Sequence, residues 1–417
     1  MIAPQPFFSP RGTPLSVYYR TLVMAENGIS IDLLTYGEGQ DIDLPGVRTY
    51  RIPRFARLGS VKIGPSRLKL FLDVFLIVYT VMLLLKNRYS FVHAHEEAVF
   101  FCSFLKPLFG FKLIYDMHSS LPQQLSNFQF TRSRALINIF KKLEDHALKS
   151  ANGVITICPD LAQYVDEVIT DKSKHVLIEN SIFEPVKLKN RRQNASGTLP
   201  SDLNIEELIS NLPDSGELIV YAGTLEAYQG IEILIEAFQK VRQMKQEAVL
   251  LIVGGTREQV NKYKKLVNSL GLGEYVFMTG RVPQAVAQQL CKKATIQVSP
   301  RSAGTNTPLK IYEQLSSGIP LVATDIYSHT QAIDSKVAFM VPPDAQGMSE
   351  GIIKALDSKA EREQKTAAAF ELYRKKYSRP MYEKKLKRVI CRALMEEGAV
   401  PEEIENTFDD VKDRICC

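Results

Sequence analysis

Nowhere in the 417 residues do ~20 apolar residues follow one another, the length a helix needs to cross a bilayer. The longest apolar run, Val74 to Leu85, is bounded by Asp73 and Lys86 and is only about a dozen residues long. It reads as a buried helix of the first domain, with a helix dipping into a membrane as the lesser alternative. No strand carries G-x-G-x-x-G into a helix, which disfavours a dinucleotide-dependent oxidoreductase. There is no metal-finger spacing and no aromatic-basic module of the RRM type. With 52 basic and 46 acidic residues the formal charge is +6. That balance is weak for nucleic acid, which calls for a concentrated basic domain, and suits a phosphate-bearing substrate or an anionic membrane surface. Collagen, bulk disorder and repeat arrays find no support. The six cysteines are scattered except for Cys416 and Cys417. They read as reduced thiols, the terminal pair being also one form of lipidation site. No secretory segment precedes the first strand, so the expectation is a cytoplasmic protein, in one variant peripheral at the inner face of a membrane.

What is present is an ordinary globular composition, 45% apolar and 24% charged. The chain is too long for one core, and two domains of similar size are expected. From residue 1 to 182, strand and helix signals alternate. A polar stretch over 183–216 with Lys187, Lys189, Arg191 and Arg192 reads as a linker holding one short helix. The alternation resumes over 217–375. Residues 376–417 read as a helix that packs back on the first domain, followed by a solvated acidic tail. Alternating strands and helices imply a parallel sheet covered on both faces, an α/β fold of two doubly wound units. Ligands of such sheets bind outside the carboxyl ends of the strands, so two units facing each other would form a cleft.

The sharpest motif runs from Ser299 to Glu313. A strand ends at Ser299, a loop of small residues follows, and Pro308 suits the first position of a helix. Free amides and the positive end of the dipole at a helix start can hold a diphosphate. Lys310 would add a point charge, and Glu313, three residues on, shares its helix face and could accept ribose hydroxyls. The plainer reading is a helix turn with an exposed Lys-Glu pair.

This segment resembles the nucleotide-sugar site of retaining glycosyltransferase family 4, whose pattern is E-x7-E followed by a Gly-x-Pro turn and a strand. Gly318-Ile319-Pro320 with Leu321 to Thr324 matches that continuation. The resemblance implies a GT-B fold, two Rossmann-like doubly wound domains facing across a cleft, with Glu313 on the ribose. The pattern's first glutamate falls on Thr305, leaving Asn306 and Thr307 as its replacements at the donor hexose. Pro308, Leu309 and Lys310 complete the implied donor loop. The Tyr221-Ala222-Gly223-Thr224 segment, with Gln229-Gly230-Ile231 ahead of a helix, is similar to the family's first strand–loop–helix of the second domain. Where the family has an Arg and a Lys on the diphosphate, this chain has Thr224 and Gln229. Arg301 and Lys310 are then the candidate cations. Gly280-Arg281-Val282-Pro283 resembles the base-contacting loop, placing Val282 and Pro283 at the nucleobase. In the first domain, Pro10-Arg11-Gly12-Thr13 is similar to the glycine loop over phosphates and acceptor. This puts Gly12 and Thr13 on the donor side and Arg11 on the acceptor side. A plain strand–helix turn explains the same residues.

Tyr115-Asp116-Met117-His118 follows a strand. The resemblance places His118 beside the reacting sugar as the catalytic group, and Asp116 would orient that loop. His93-Ala94-His95-Glu96-Glu97 puts both histidines on one side of a strand. No third and fourth metal ligand is evident, so His95 reads as an acceptor contact or structure rather than zinc. Asp41-Ile42-Asp43 follows a glycine loop rather than a strand and is discounted, and no divalent metal or other cofactor is required. Arg48 to Lys69 carries seven basic residues and no acid, which suits an anionic membrane or a lipid-diphosphate acceptor as well as a solvated loop. The function implied is transfer of a hexose from a nucleotide diphosphate sugar, with UDP as the expected nucleotide, and with retention at the anomeric carbon. The acceptor would be a hydroxyl in envelope polysaccharide or glycolipid synthesis. Two rivals stay open: an inactive GT-B scaffold that binds a nucleotide sugar or a partner, and a nucleotide-sugar epimerase.

Overall fold

A computed structural model describes residues 1–9, 12–55, 59, 61, 66–122, 134–180, 186, 217–304 and 306–395. Most of the expected linker, its short helix and the acidic tail lie outside these residues, as do Arg11 and Thr305. The described residues form two compact units, one holding Met1–Asn180, Val186 and residues 379–395, the other holding residues 217–378.

The first unit is a seven-stranded parallel sheet in the order β3-β2-β1-β4-β5-β6-β7. Its strands are β1 (Ile2–Ala3), β2 (Ile31–Thr35), β3 (Val47–Arg51), β4 (Phe91–His95), β5 (Lys112–Met117), β6 (Gly153–Thr156) and β7 (His175–Leu177). Helices α1 (Gly12–Glu26), α2 (Arg67–Lys86), α3 (Ala98–Phe109), α4 (Arg134–Ser150) and α5 (Pro159–Val168) make the crossovers. The strand order reverses between β1 and β4, which opens a crevice at their carboxyl ends. The central strands are buried on both faces, as a parallel sheet covered by helices requires, with polar His93, His95 and Asp116 on one side. In β5 every residue but the first is buried.

The second unit is a six-stranded parallel sheet in the order β10-β9-β8-β11-β12-β13. It is built from β8 (Leu218–Ala222), α6 (Ile231–Met244), β9 (Val249–Val253), α7 (Arg257–Ser269), β10 (Val276–Gly280), α8 (Gln284–Lys292) and β11 (Ile296–Ser299). Then come α9 (Leu309–Ser316), β12 (Leu321–Thr324), α10 (Tyr327–Thr330), β13 (Phe339–Val341), α11 (Ala345–Asp357) and α12 (Lys359–Lys376). The reversal here lies between β8 and β11. The last helix, α13 (Arg379–Leu394), belongs to the first unit and packs on β5, β6 and β7. Arg392 donates to Asp171, 2.6 Å, and Lys385 to Glu179, 2.7 Å.

Two glycines are demanded by close approach at the second crevice. Gly230 has φ +71°, and a Cβ there would sit 1.9 Å from the Pro300 carbonyl oxygen. Gly254 has φ +118°, and its Cβ would sit 2.0 Å from the Gly223 oxygen. Both conflicts are with backbone, so the loops after β8, β9 and β11 can meet only because these residues lack side chains. Gly230→Ala should cost about 2 kcal/mol or more, read as a lowered midpoint in urea.

One sequence expectation fails. The run Val74–Leu85 is not a buried helix: only 17% of the apolar window of α2 is buried. Leu72, Leu76 and Thr80 face the core, whereas Leu70, Val74, Val78, Met82 and Leu85 are exposed. A helix packed on one face of a sheet can bury one stripe only, and this sequence is apolar on both.

Candidate functional site

At the carboxyl ends of β4 and β5, four side chains converge on Asp116. Arg20, from the middle of α1, donates its Nε to Asp116 Oδ2 at 2.9 Å, and both side chains are wholly buried. His93 Nε2 donates to the same oxygen at 3.0 Å. His118 Nε2 lies 3.2 Å from Asp116 Oδ1 and 3.2 Å from His95 Nδ1. The ring of Tyr382 in α13 stacks under the Arg20 guanidinium at 4.8 Å. Period-two alternation explains why His93 and His95 share a side of β4, and parallel pairing sets His95 beside Asp116 in register.

The charges follow from this geometry. Burial pushes the Asp116 carboxyl up, but Arg20 and the imidazoles outweigh it, and the group is held well below the usual carboxylate range. Burial lowers both His93 and His95, so they are neutral at pH 7. Asp116 and Arg20 therefore form a buried ion pair around which neutral imidazoles pack. His118 Nδ1 and His95 Nε2 have no hydrogen-bond partner among the described residues. Ligand atoms of His93, His95 and Asp116 lie within 4.8 Å of one another. The structure thus supplies a third group that the sequence did not reveal, yet its carboxylate oxygen is already taken by Arg20 Nε, and a guanidinium beside a cation is unfavourable. Glu96, next to His95, has φ 47°, a left-handed backbone uncommon for a non-glycine residue. Gly12 is the exposed first residue of α1 with open space where a Cβ would lie, and Thr13 follows half-buried.

In the second unit, the loop after β11 leads into α9. Pro308 is the N-cap of α9, with ψ 135°, rather than its first helical residue as expected, and Leu309 opens the helix. A proline at that place offers no side-chain acceptor, so the first amides of α9 lack a side-chain cap. Lys310 is not exposed: its Nζ is buried, lies 4.1 Å from the centre of the Tyr221 ring, and has no hydrogen-bond partner among the described residues. Burial and the nearby Arg301 cation bring its pKa down to about 7. The Arg301 guanidinium stacks over Tyr228 at 5.1 Å, and its Nε donates to the Ala303 carbonyl at 2.6 Å. Burial lowers Arg301 as well. Thr324 Oγ1 donates to the Arg301 carbonyl at 2.5 Å, and His329, its pKa lowered by burial to about 4, bonds Ser299 Oγ at 3.0 Å. The loop is thereby pinned from below.

Around these cations, Gly223 lies against the Tyr221 hydroxyl and Lys310, a Cβ there being 3.7 Å from Nζ. The Thr224 carbonyl accepts from Tyr221 Oη at 2.6 Å, and its side chain belongs to an exposed residue. Gln229 is buried, with an unpartnered Oε1. Thr307 Oγ1 is likewise buried and unpartnered, and Asn306 is exposed. Glu313 Oε1 accepts from Gln288 Nε2 of α8 at 2.7 Å. Val282 packs on the core beneath the β10–α8 loop, and Pro283 is the exposed N-cap of α8. The sequence reading overlooked Arg20, Tyr228, Gln288 and Tyr382. Arg20 alone left a signal, the one charge in the middle of the otherwise uncharged run from Gly12 to Ala25 of α1.

Two Rossmann-like parallel units, the second with an uncapped cationic helix start at its switch point, define the GT-B class. Among solved structures, sucrose-phosphate synthase (tll1590) from Thermosynechococcus elongatus superposes with a TM-score of 0.65 at 20% identity, covering 89% of this chain and 91% of that one. Anabaena Alr3699/HepE in complex with UDP and glucose gives 0.62 at 14% identity, covering 92% and 97%. Residues 11–182 match the model described as Glycosyltransferase Family 4, and residues 205–372 the model described as Glycosyl transferases group 1. On this pair of matches the chain is of the family-4 glycosyltransferase type. A curated relative, phosphatidyl-myo-inositol mannosyltransferase of Mycobacterium leprae, is 25% identical over 186 residues, 42% of this chain and 48% of that protein. The match thus spans about half the length of the curated relative.

Proposed function

We propose that this protein is a glycosyltransferase that takes a hexose from a nucleotide diphosphate sugar and passes it to an acceptor hydroxyl with retention, without a metal ion. The observation that carries this reading is the pair of cations Lys310 and Arg301 beside the uncapped start of α9. A buried ammonium beside a half-buried guanidinium, with no carboxylate paired to either among the described residues, is unfavourable unless an anion joins them. A diphosphate supplies that charge and takes the free amides. As the leaving group departs, its growing charge meets the same donors. Glu313, steadied by Gln288, holds the ribose, and Asn306 and Thr307 face the hexose in place of the family's first glutamate. Val282 and Pro283 meet the base, and UDP is the proposed nucleotide, the one bound in the Anabaena protein.

In the first unit, His118 is the proposed catalytic group. With His118 Nε2 occupied by Asp116 and His95, Nδ1 is the nitrogen free to meet a hydroxyl. Arg20 balances the Asp116 charge, so no metal is needed to do so. The acceptor belongs to an envelope polysaccharide or glycolipid, handled inside the cell. Neutral Thr224 and Gln229 favour one second reading, a scaffold that binds the nucleotide sugar without turnover.

A panel of nucleotide sugars in a thermal-shift assay tests the donor site, with Glu313→Ala beside the wild type. One donor should raise the wild-type melting temperature by several degrees, and the variant should lose most of that shift. No shift with any nucleotide sugar would remove the transferase and bring forward a scaffold that binds a partner instead. Slow donor hydrolysis without acceptor supports the transferase, and binding with no hydrolysis or transfer supports the scaffold.

A further inference from the structure

Among the described residues, every exposed large apolar side chain of the first unit lies on α2, α3 or α4. On α2 the exposed stripe is Leu70, Val74, Val78, Met82 and Leu85, spaced by four or three residues so that it keeps to one face. Beside it, α3 exposes Phe104 and Leu108, and α4 exposes Leu136 and Ile139. These helices are neighbours: α2 packs on α3, and α3 on α4. Phe104 stacks on His146 of α4, 5.2 Å between rings. The face is therefore continuous, and soluble surfaces rarely leave so much apolar area together.

The charges around this face are of one sign. Among the described residues, the exposed charged groups on the three helices are Lys86, Lys141, Lys142 and Lys149. The acids of the same helices are turned to internal partners. Asp73 accepts from Tyr36, Glu144 from Ser120 and Asp145 from Tyr164. By contrast, the basic segment Arg48 to Lys69 is partly committed inside the unit. Arg48 pairs with Asp32, Arg51 holds Asp41 and the carbonyls of Phe7, Glu38 and Gln40, and Lys69 pairs with Glu97. Arg57 and Lys62 lie outside the described residues.

We propose that the outer face of α2, α3 and α4 docks the protein onto an anionic lipid surface, with the α2 stripe in the acyl boundary and the lysines among the headgroups. An apolar face bearing only positive exposed charge complements an anionic bilayer. The helix lies on the membrane and does not cross it, although Leu68–Lys86 is long and apolar enough by composition. It is the crossover between β3 and β4, parallel strands of one sheet, and its inner stripe of Leu72, Leu76 and Thr80 is held in that core. This surface stands apart from the transfer reading, because docking needs no donor and no turnover.

The test is co-sedimentation of the full chain with vesicles of phosphatidylcholine alone and of phosphatidylcholine containing phosphatidylglycerol. Wild type should bind the anionic vesicles, more weakly in high salt, and Val74→Glu/Val78→Glu should weaken that binding by about tenfold or more. Lys141→Glu/Lys142→Glu should lose the preference for anionic lipid while keeping the apolar face. Because both pairs are on the surface, circular dichroism and the urea midpoint should match wild type, which separates lost docking from lost fold. Wild type remaining in the supernatant with anionic vesicles would overturn the proposal. So would a glutamate variant that binds as well as wild type, or sedimentation velocity showing a stable dimer that the glutamates dissociate. A failed donor shift with vesicle binding intact would count against the transfer reading alone.

Discussion

Lys310→Met is expected to abolish the thermal shift by a nucleotide sugar while raising the melting temperature of the unliganded protein. The two effects share one cause. In the folded state the Lys310 ammonium is desolvated and faces Arg301, which takes its pKa from 10.5 to about 7. That change corresponds to a penalty on the order of 5 kcal/mol for the charged form. Methionine fills similar volume without a charge, and recovery of about 2 kcal/mol would raise the melting temperature by about 4–8 °C. The sign with pH follows. Between pH ~7 and ~10.5 the unfolded chain keeps a proton that the folded one has lost, so apo stability rises with pH across that window in wild type and not in the variant. Donor binding runs the other way. The diphosphate favours the ammonium, so binding above pH 7 takes up a proton and affinity falls by up to about tenfold per pH unit. Calorimetry in two buffers of different ionisation enthalpy measures that uptake. A variant that still shows the full donor shift would remove Lys310 from the site.

Asp116→Asn is expected to destabilise the first unit by about 3–5 kcal/mol, the cost of leaving a buried charge without its partner. Arg20 is wholly buried and remains cationic, its pKa held up by Asp116 and Tyr382 against the cost of burial. Adding Arg20→Met should recover a large part of the loss, because it removes the orphaned charge. Urea melts of the two single variants and the double variant measure this coupling. Additive effects of the two substitutions would contradict a direct ion pair. The Asp116 carboxylate is held below its ordinary range, so its contribution is present above pH ~4 and fades as pH falls through the folded value. The deficit of the asparagine variant should accordingly shrink in acid. His93 and His95 act in the same direction. They stay neutral in the fold while the unfolded chain protonates them, so wild type loses stability below pH ~6.5.

Much of the molecule is legible in its sequence. Alternating apolar strands and amphipathic helices imply parallel sheets because strands covered on both sides are largely apolar, as β9 is along its whole length. The loop from Ser299 to Glu313 could be read because small residues and a proline before a helix leave free amides, a local property. What could not be read depended on partners far apart in sequence. From the sequence, Lys310 reads as a point charge at the helix start or as an exposed partner of Glu313, and only packing on Tyr221 buries it. Asp116 looked like a loop support. The register of β4 and β5, with α1 behind them, made it the carboxylate that holds Arg20 and three histidines. Tyr382 reaches Arg20 because α13 returns to the first sheet after the second unit is complete.

The helix α2 shows the division most plainly. Its composition alone determined that it would be a long apolar helix between two strands. Which stripe meets the sheet and which is left outside was decided by the tertiary structure, because a crossover helix can turn only one face to its sheet.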